Sequence, residues 1–218
     1  MKNITNFIIS IYNQNYELII EPSIVLGIYF ILFTIIFLEN GIIIASFLPG
    51  DSLLILVGVL TAKKVISYPM IIIILTFSAS LGSWIAYKQG KFLKKNKKIN
   101  LIKKKIPKKY YKYIYLFLYK YGFYSLIFSR FIGFFRTAIP MIAGIYELSQ
   151  YKFQIFNWIS GFIWILLLIS LGHFFYNTTF FKNYEIIITT ILTIFPIIVL
   201  SIGILTLILN FIKKKYIK

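Results

Sequence analysis

SRFIGFFRTAIPMIAG, residues 129 to 144, holds both arginines of a chain that otherwise places its positive charge on 22 lysines. Beside abundant Ile, Asn, Phe and Tyr, that ratio points to a coding bias that replaces arginine by lysine wherever a plain positive charge suffices. Arg130 and Arg136 are then positions where lysine does not suffice. A guanidinium presents a planar fork of donors that holds a carboxylate or phosphate bidentately and stays charged, whereas an ammonium is a compact point charge. Both arginines lie among Phe128, Phe131, Phe134, Phe135 and Ile139, with Gly133 between them and Pro140 after the second. Charge in so apolar a setting is costly at membrane depth, and by default it marks a functional site with a partner nearby.

The rest of the composition supplies the membrane. Of 218 residues 59% are hydrophobic and 19% aromatic, and the mean hydropathy is +0.82, far too apolar for a soluble domain of this size. The net charge of +18 does not signal nucleic acid, because most of it lies in one lysine-rich segment flanked by apolar runs, as in a cytoplasmic loop under the positive-inside rule. There is no cysteine, so disulfides, zinc thiolates and cysteine nucleophiles are excluded. With one histidine and six acids, no nucleophile, base and orienter set and no metal cluster can be assembled by spacing. We expect neither a classical enzyme nor a cofactor, although an enzyme acting on lipid phosphate through Asp51 and the arginines is conceivable. The N-terminus lacks a cleavable signal pattern and the whole chain is expected to be retained.

Working outward, residues 1–22 are apolar but dotted with Asn and Gln, and read as an interfacial segment. Residues 23–64 read as a first hairpin. An apolar arm carrying Glu39 and Asn40 breaks at Pro49-Gly50-Asp51 and resumes over Ser52 to Ala62, a run of about 16 Å as helix, half a hydrocarbon core. Such a broken, half-depth segment is tolerated where protein or a water-filled cavity covers its backbone. Residues 67–87 form a full span with a small-residue surface at Ser78, Ala79, Ser80, Gly82 and Ser83. The segment 88–120 begins with twelve lysines and no acid between Lys88 and Lys112. It is either a cytoplasmic retention loop or, where lysines interleave with tyrosines from Tyr110 onward, a helix lying on an anionic inner leaflet. Residues 121–148 repeat the hairpin plan, with breaks at Gly133 and Pro140, and Glu39 to Pro49 and Arg130 to Pro140 share a separation of ten. Residues 153–175 and 186–211 are read as two further spans.

The fold class predicted is an all-α integral membrane protein with two oppositely inserted re-entrant hairpins and about three full transmembrane helices, in the inverted-repeat manner of secondary transporters. Counting crossings from a cytoplasmic lysine loop puts the C-terminus in the cytoplasm. The hairpin tips then bring Glu39 and Asp51 towards Arg130 and Arg136. One reading is a buried ion-pair lock that lets the hairpins stay inserted. The other is exchange: an acid gives up its arginine when it takes a proton, and the freed guanidinium holds an anionic substrate. Gln154 and Asn157 are expected to support hairpin backbone, Gly144, Gly161 and Gly172 to serve close packing, and His173 to sit at the interface.

Three motifs carry a resemblance. Glu39 followed by FLPGD (47–51), G-x-x-x-x-Y-x-x-G-K from Gly82 to Lys91, and the arginine stretch followed by F-x-x-F-N-W-x-x-G-x-x-W (Phe153 to Trp164) resemble the DedA family of bacterial membrane proteins, the SNARE-associated or VTT-domain proteins. The resemblance covers roughly residues 25–175. It implies two re-entrant hairpins, a place in the bacterial inner membrane, a role in envelope homeostasis and, for some members, proton-motive-force-dependent translocation of undecaprenyl phosphate or phospholipid. The family's acidic pair falls on Glu39 and Asp51 and its hairpin arginines on Arg130 and Arg136. Lys91 departs from the pattern, standing where an arginine is common. The expected partners are lipids with an anionic phosphate and protons, with a homo-oligomer compatible with the sequence. The alternatives are a proton-coupled exporter of small cations or drugs and a non-transporting membrane assembly factor.

Overall fold

The computed structural model describes residues 22–46, 48–95 and 120–195, together with 116, 198 and 201. The predicted interfacial segment, most of the lysine-rich segment, the part of the last span beyond 195 and the terminal lysines lie outside the described residues. Every regular element among the described residues is helical: α1 (Pro22–Gly41), a 3-10 turn (Ile43–Ala45), α2 (Gly50–Ala62), α3 (Tyr68–Lys95), a second 3-10 turn (Gly122–Tyr124), α4 (Ser125–Ser129), α5 (Gly133–Ile145), α6 (Gln150–Tyr176), α7 (Thr179–Asn183) and α8 (Glu185–Phe195). Three of them, α1, α3 and α6, are long and apolar enough to cross a membrane, while α2, α5 and α8 are shorter apolar helices. The segment 22–41, read from sequence as a hairpin arm, thus has the length of a full span.

The helices α2 and α5 share a construction. Each has 13 residues and begins on glycine. Each also ends in a residue of positive φ, Lys64 at 60° and Glu147 at 53°. At both ends the chain closes with the same pair of bonds: Lys64 N to Thr61 O and Val65 N to Leu60 O in one, Glu147 N to Gly144 O and Leu148 N to Ala143 O in the other. This is the Schellman arrangement, which satisfies carbonyls that a helix end leaves open. Each short helix is followed within a few residues by a long one, α3 or α6.

The chain divides into two compact units. In the first, made from 1–32, 48–72 and 167–218, α2 crosses the end of α6 through two glycines. A Cβ on Gly58 would lie 2.2 Å from the Ile169 carbonyl oxygen, and one on Gly172 2.1 Å from that of Ile55. Side chains at either position would push the backbones apart. The Thr61 hydroxyl donates to Gly58 O at 2.7 Å and faces His173 Nδ1 at 3.0 Å, so that ring nitrogen is the donor. Lys63 pairs with Glu185.

The second unit, 33–47 and 73–166, holds both arginines. Here α5 crosses the end of α3 by the same device: a Cβ on Gly90 would meet Met141 O at 1.9 Å, and one on Gly144 Tyr87 O at 2.0 Å. Tyr87 stacks on Phe153 at 4.5 Å and donates to Leu148 O at 2.6 Å. The end of α1 lies against α3, where a Cβ on Gly82 would stand 2.5 Å from Phe37 O, and Ser78 donates to Phe33 O. The distribution of polarity is that of a membrane protein. Leu26, Phe30, Ile73, Phe77, Leu167 and Leu171 are exposed, whereas Glu39, Asn40, Arg130, Arg136 and Asn157 are buried. Lipid-facing apolar residues around an interior of small and polar ones are what helices packing in hydrocarbon require.

Pro140 is corrected by the structure. It lies inside α5, eighth of 13 residues, and does not break it. The interruption falls at Arg130 to Ile132, between α4 and α5, where Ile132 is extended (φ −122°, ψ 103°). A membrane helix tolerates proline because neighbouring groups can serve the backbone its missing N–H leaves behind.

Candidate functional site

Arg136 stands in the first turn of α5 and Glu39 in the last turn of α1. Each charge is at the helix end whose dipole opposes it, at a cost of about 0.3–1 kcal/mol apiece. Their contact relieves both: Arg136 Nη1 donates to Glu39 Oε1 at 2.6 Å, with both side chains no more than 2% exposed. Thr137, next on α5, donates to the Glu39 backbone carbonyl at 2.8 Å. A carboxylate and a guanidinium at this burial depend on each other, since losing either leaves an uncompensated charge.

Arg130 caps α4 and is held differently. Its Nε donates to Ser160 Oγ at 3.0 Å and its Nη1 to Asn40 Oδ1 at 3.0 Å. Its Nη2 reaches Asn157 Oδ1 at 2.7 Å, Asn157 O at 3.2 Å and Ser83 Oγ at 3.4 Å. These acceptors come from α1, α3 and α6, and none carries a charge. Asn157 is itself fixed by donating to Ser80 O at 2.9 Å and Gln154 Oε1 at 3.3 Å. Gly161 makes room, since a Cβ there would lie 2.8 Å from Ser80 Oγ and 3.3 Å from Arg130 Nη2. The buried ring of Trp164 lies below both cations, 4.4 Å from Arg136 Cζ and 5.9 Å from Arg130 Cζ. A desolvated indole face attracts a cation by about 2 kcal/mol.

Of the residues singled out from sequence, Glu39, Arg130, Arg136, Asn157 and Gln154 gather in one unit. Asn157, expected on hairpin backbone, bonds the Arg130 side chain and an α3 carbonyl instead. Asp51 belongs to the other unit, half-buried in the first turn of α2, where a carboxylate suits the positive helix end. Pro49 precedes α2 and Gly50 opens it, and Gly133 opens α5. His173 packs against Tyr68 and Thr61. Sequence reasoning missed Asn40, Ser83, Ser160 and Trp164. Their signal is their spacing: Asn40 adjoins Glu39, and Asn157, Ser160 and Trp164 recur at three and four residues on one face of α6.

Comparison with known proteins places the chain. Residues 48–174 match the VTT domain. It belongs to the DedA family. The inner membrane protein YqjA of Escherichia coli strain K12 is 40% identical over 216 residues, covering 99% of this chain and 98% of YqjA. YghB of the same strain is 39% identical over 216 residues, 99% of each chain, and DedA itself 31% identical over 172 residues, 78% of each. No solved structure matches. With its three span-length helices, this DedA-family chain is a multi-pass protein of the inner membrane.

Proposed function

We propose that this DedA-family protein translocates a lipid with an anionic phosphate, undecaprenyl phosphate or a phospholipid, across the inner membrane, driven by the proton-motive force in support of envelope homeostasis. The observation that carries the reading is the Glu39–Arg136 pair, fully buried at 2.6 Å, beside a second buried arginine whose acceptors are all neutral. Protonation of Glu39 removes the charge that holds Arg136, and a phosphate is the group that two guanidinium forks can take in its place. Loss of the proton re-forms the pair and expels the phosphate. Asp51, in the first turn of α2, is assigned a second proton step.

The hairpin reading supports the alternation. The α2 and α5 helices share length, opening glycine and closing motif, and each crosses the end of a long helix through paired glycines. In the proposed arrangement they are re-entrant and inserted from opposite faces, α2 from outside and α5 from the cytoplasm, which also holds the C-terminus.

The test is translocation of labelled phospholipid and of a polyprenyl phosphate in liposomes holding the purified protein, with and without an imposed proton gradient. Gradient-dependent movement by wild type, lost in Arg136→Lys despite its retained charge, is the expected result. Gradient-driven cation movement with no lipid flux would transfer the acids to a cation site and replace this reading by an exporter.

A further inference from the structure

Arg130 is held by hydrogen bonds yet given no counter-charge by them. Arg130 is 2% exposed, and the bonds of its guanidinium run to two amide oxygens, two hydroxyls and one backbone carbonyl. Nη1 carries two hydrogens and makes one bond, to Asn40, so its second N–H meets no acceptor among the described residues. A buried cation of this kind is expensive, and aspartate is the ordinary remedy because it has the shape of asparagine and pairs bidentately with arginine. At both Asn40 and Asn157 the chain has the amide. Glu39, the adjacent acid, hydrogen-bonds Arg136 instead.

We infer that Asn40, Ser83, Asn157 and Ser160 form a deliberately neutral cradle that fixes Arg130 in orientation while leaving its charge for the phosphate, and so determines the site's selectivity for anions. The inference rests on the phosphate reading above and adds the residues that enforce it. In this division of labour Arg136 is the cation released by Glu39, and Arg130 is the cation always available. The cradle residues are positioning residues, since they act through Arg130. Their amide and hydroxyl oxygens orient the fork, and a neutral acceptor can share a guanidinium with an incoming phosphate without competing as an anion.

Four variants of the full chain, Asn40→Asp, Asn157→Asp, Asn40→Ala and Asn157→Ala, purified in detergent, test it. The probe is dihexanoyl phosphatidic acid titrated by calorimetry, with dihexanoyl phosphatidylcholine as the zwitterionic control, beside thermal unfolding of each variant. The Asp variants keep an acceptor and place a carboxylate in direct contact with Arg130. They are expected to fold with an unchanged or raised thermal midpoint and to bind the probe at least about tenfold more weakly. The Ala variants stay neutral but release Arg130. They are expected to lose thermal stability and, with the charge of Arg130 uncompensated, to lose less affinity than the Asp variant at the same position. A merely structural cradle gives a different pattern, affinity falling in step with stability whichever residue is introduced, and that result overturns the inference. So does wild-type affinity in both Asp variants, or failure of both to fold, because the counter-charge would then be irrelevant or unwelcome. A wild type that does not distinguish the phosphatidic acid from the control overturns the phosphate reading itself, and this inference with it.

Discussion

Glu39 and Arg136 each occupy the helix end that disfavours its charge, so the pair is held by mutual need. Removing one partner of a buried pair typically costs about 3–5 kcal/mol, so Glu39→Gln should lower the thermal midpoint sharply and abolish gradient-driven transport. Arg136→Lys keeps the charge but loses the fork, and should retain much of the stability while losing transport at least about tenfold. Wild-type transport in Arg136→Lys would mean that Arg136 acts only as a charge, and a stability loss equal to that of Glu39→Gln would mean that the fork, not the charge, holds the pair. Between the lysine-rich last turn of α3 and Glu147, just beyond α5, a second pair makes a contrasting case. Lys94 donates to Glu147 Oε2 at 2.7 Å with both side chains exposed, and this hydrogen bond, together with the Lys94 charge, holds the Glu147 carboxyl below its ordinary value. The folded state therefore gives up that proton more readily than the unfolded one. The pair's contribution is present above the ordinary glutamate value and is lost as pH falls through the lower folded one. Thermal unfolding of wild type and Lys94→Ala followed from about pH 6 to about pH 3 should show this small slope in wild type only, as fits an exposed pair.

At the scale of elements, the two short helices separate backbone strain from packing. Lys64 closes α2 in the left-handed region at φ 60°, where a side chain costs about 1 kcal/mol relative to glycine. Lys64→Gly should therefore raise the thermal midpoint. Gly90→Ala should do the reverse, because the new Cβ would stand 1.9 Å from a backbone carbonyl and the crossing of α3 and α5 must open, at about 1–3 kcal/mol or more. A neutral Gly90→Ala would mean that α3 and α5 do not cross this closely. The same elements show what sequence could reveal. The half-length of Gly50–Ala62 and the opening role of Gly133 were legible, because a glycine between apolar runs is a local signal. The position of the second break was not, because Pro140 looks like a breaker to any local rule, and its accommodation inside α5 depends on the packing around it. Tertiary pairing hid the cradle in the same way. Rare ionisable residues in apolar sequence announced Glu39 and the arginines, but serines and asparagines are common in membrane helices, and only the crossing of α1, α3 and α6 brings Asn40, Ser83, Asn157 and Ser160 to one guanidinium. Charge balance grouped Asp51 with the other three; the structure gives it a place in the first turn of α2.

For the whole molecule the decisive quantity is sidedness. The chain's unbroken positive block from Lys88 to Lys112 follows α3 directly, and a lysine run beside a span stays in the cytoplasm. If so, α3 runs inward and Ser67, exposed just before it, faces outward. Should α5 return to the cytoplasmic side, Ser149, exposed just before α6, faces the cytoplasm. The two serines stand at equivalent places, each shortly after a Schellman-capped 13-residue helix and just before a long one. Inverted insertion predicts opposite labelling at these equivalent positions. Because the native chain has no cysteine, Ser67→Cys and Ser149→Cys can each be made alone and treated in intact cells with a membrane-impermeant maleimide, then again after permeabilisation. The Ser67→Cys variant should react at once and the Ser149→Cys variant only after permeabilisation. Reaction of both in intact cells would put the two short helices on the same face, and alternating access through opposed hairpins would have no structural basis in this protein.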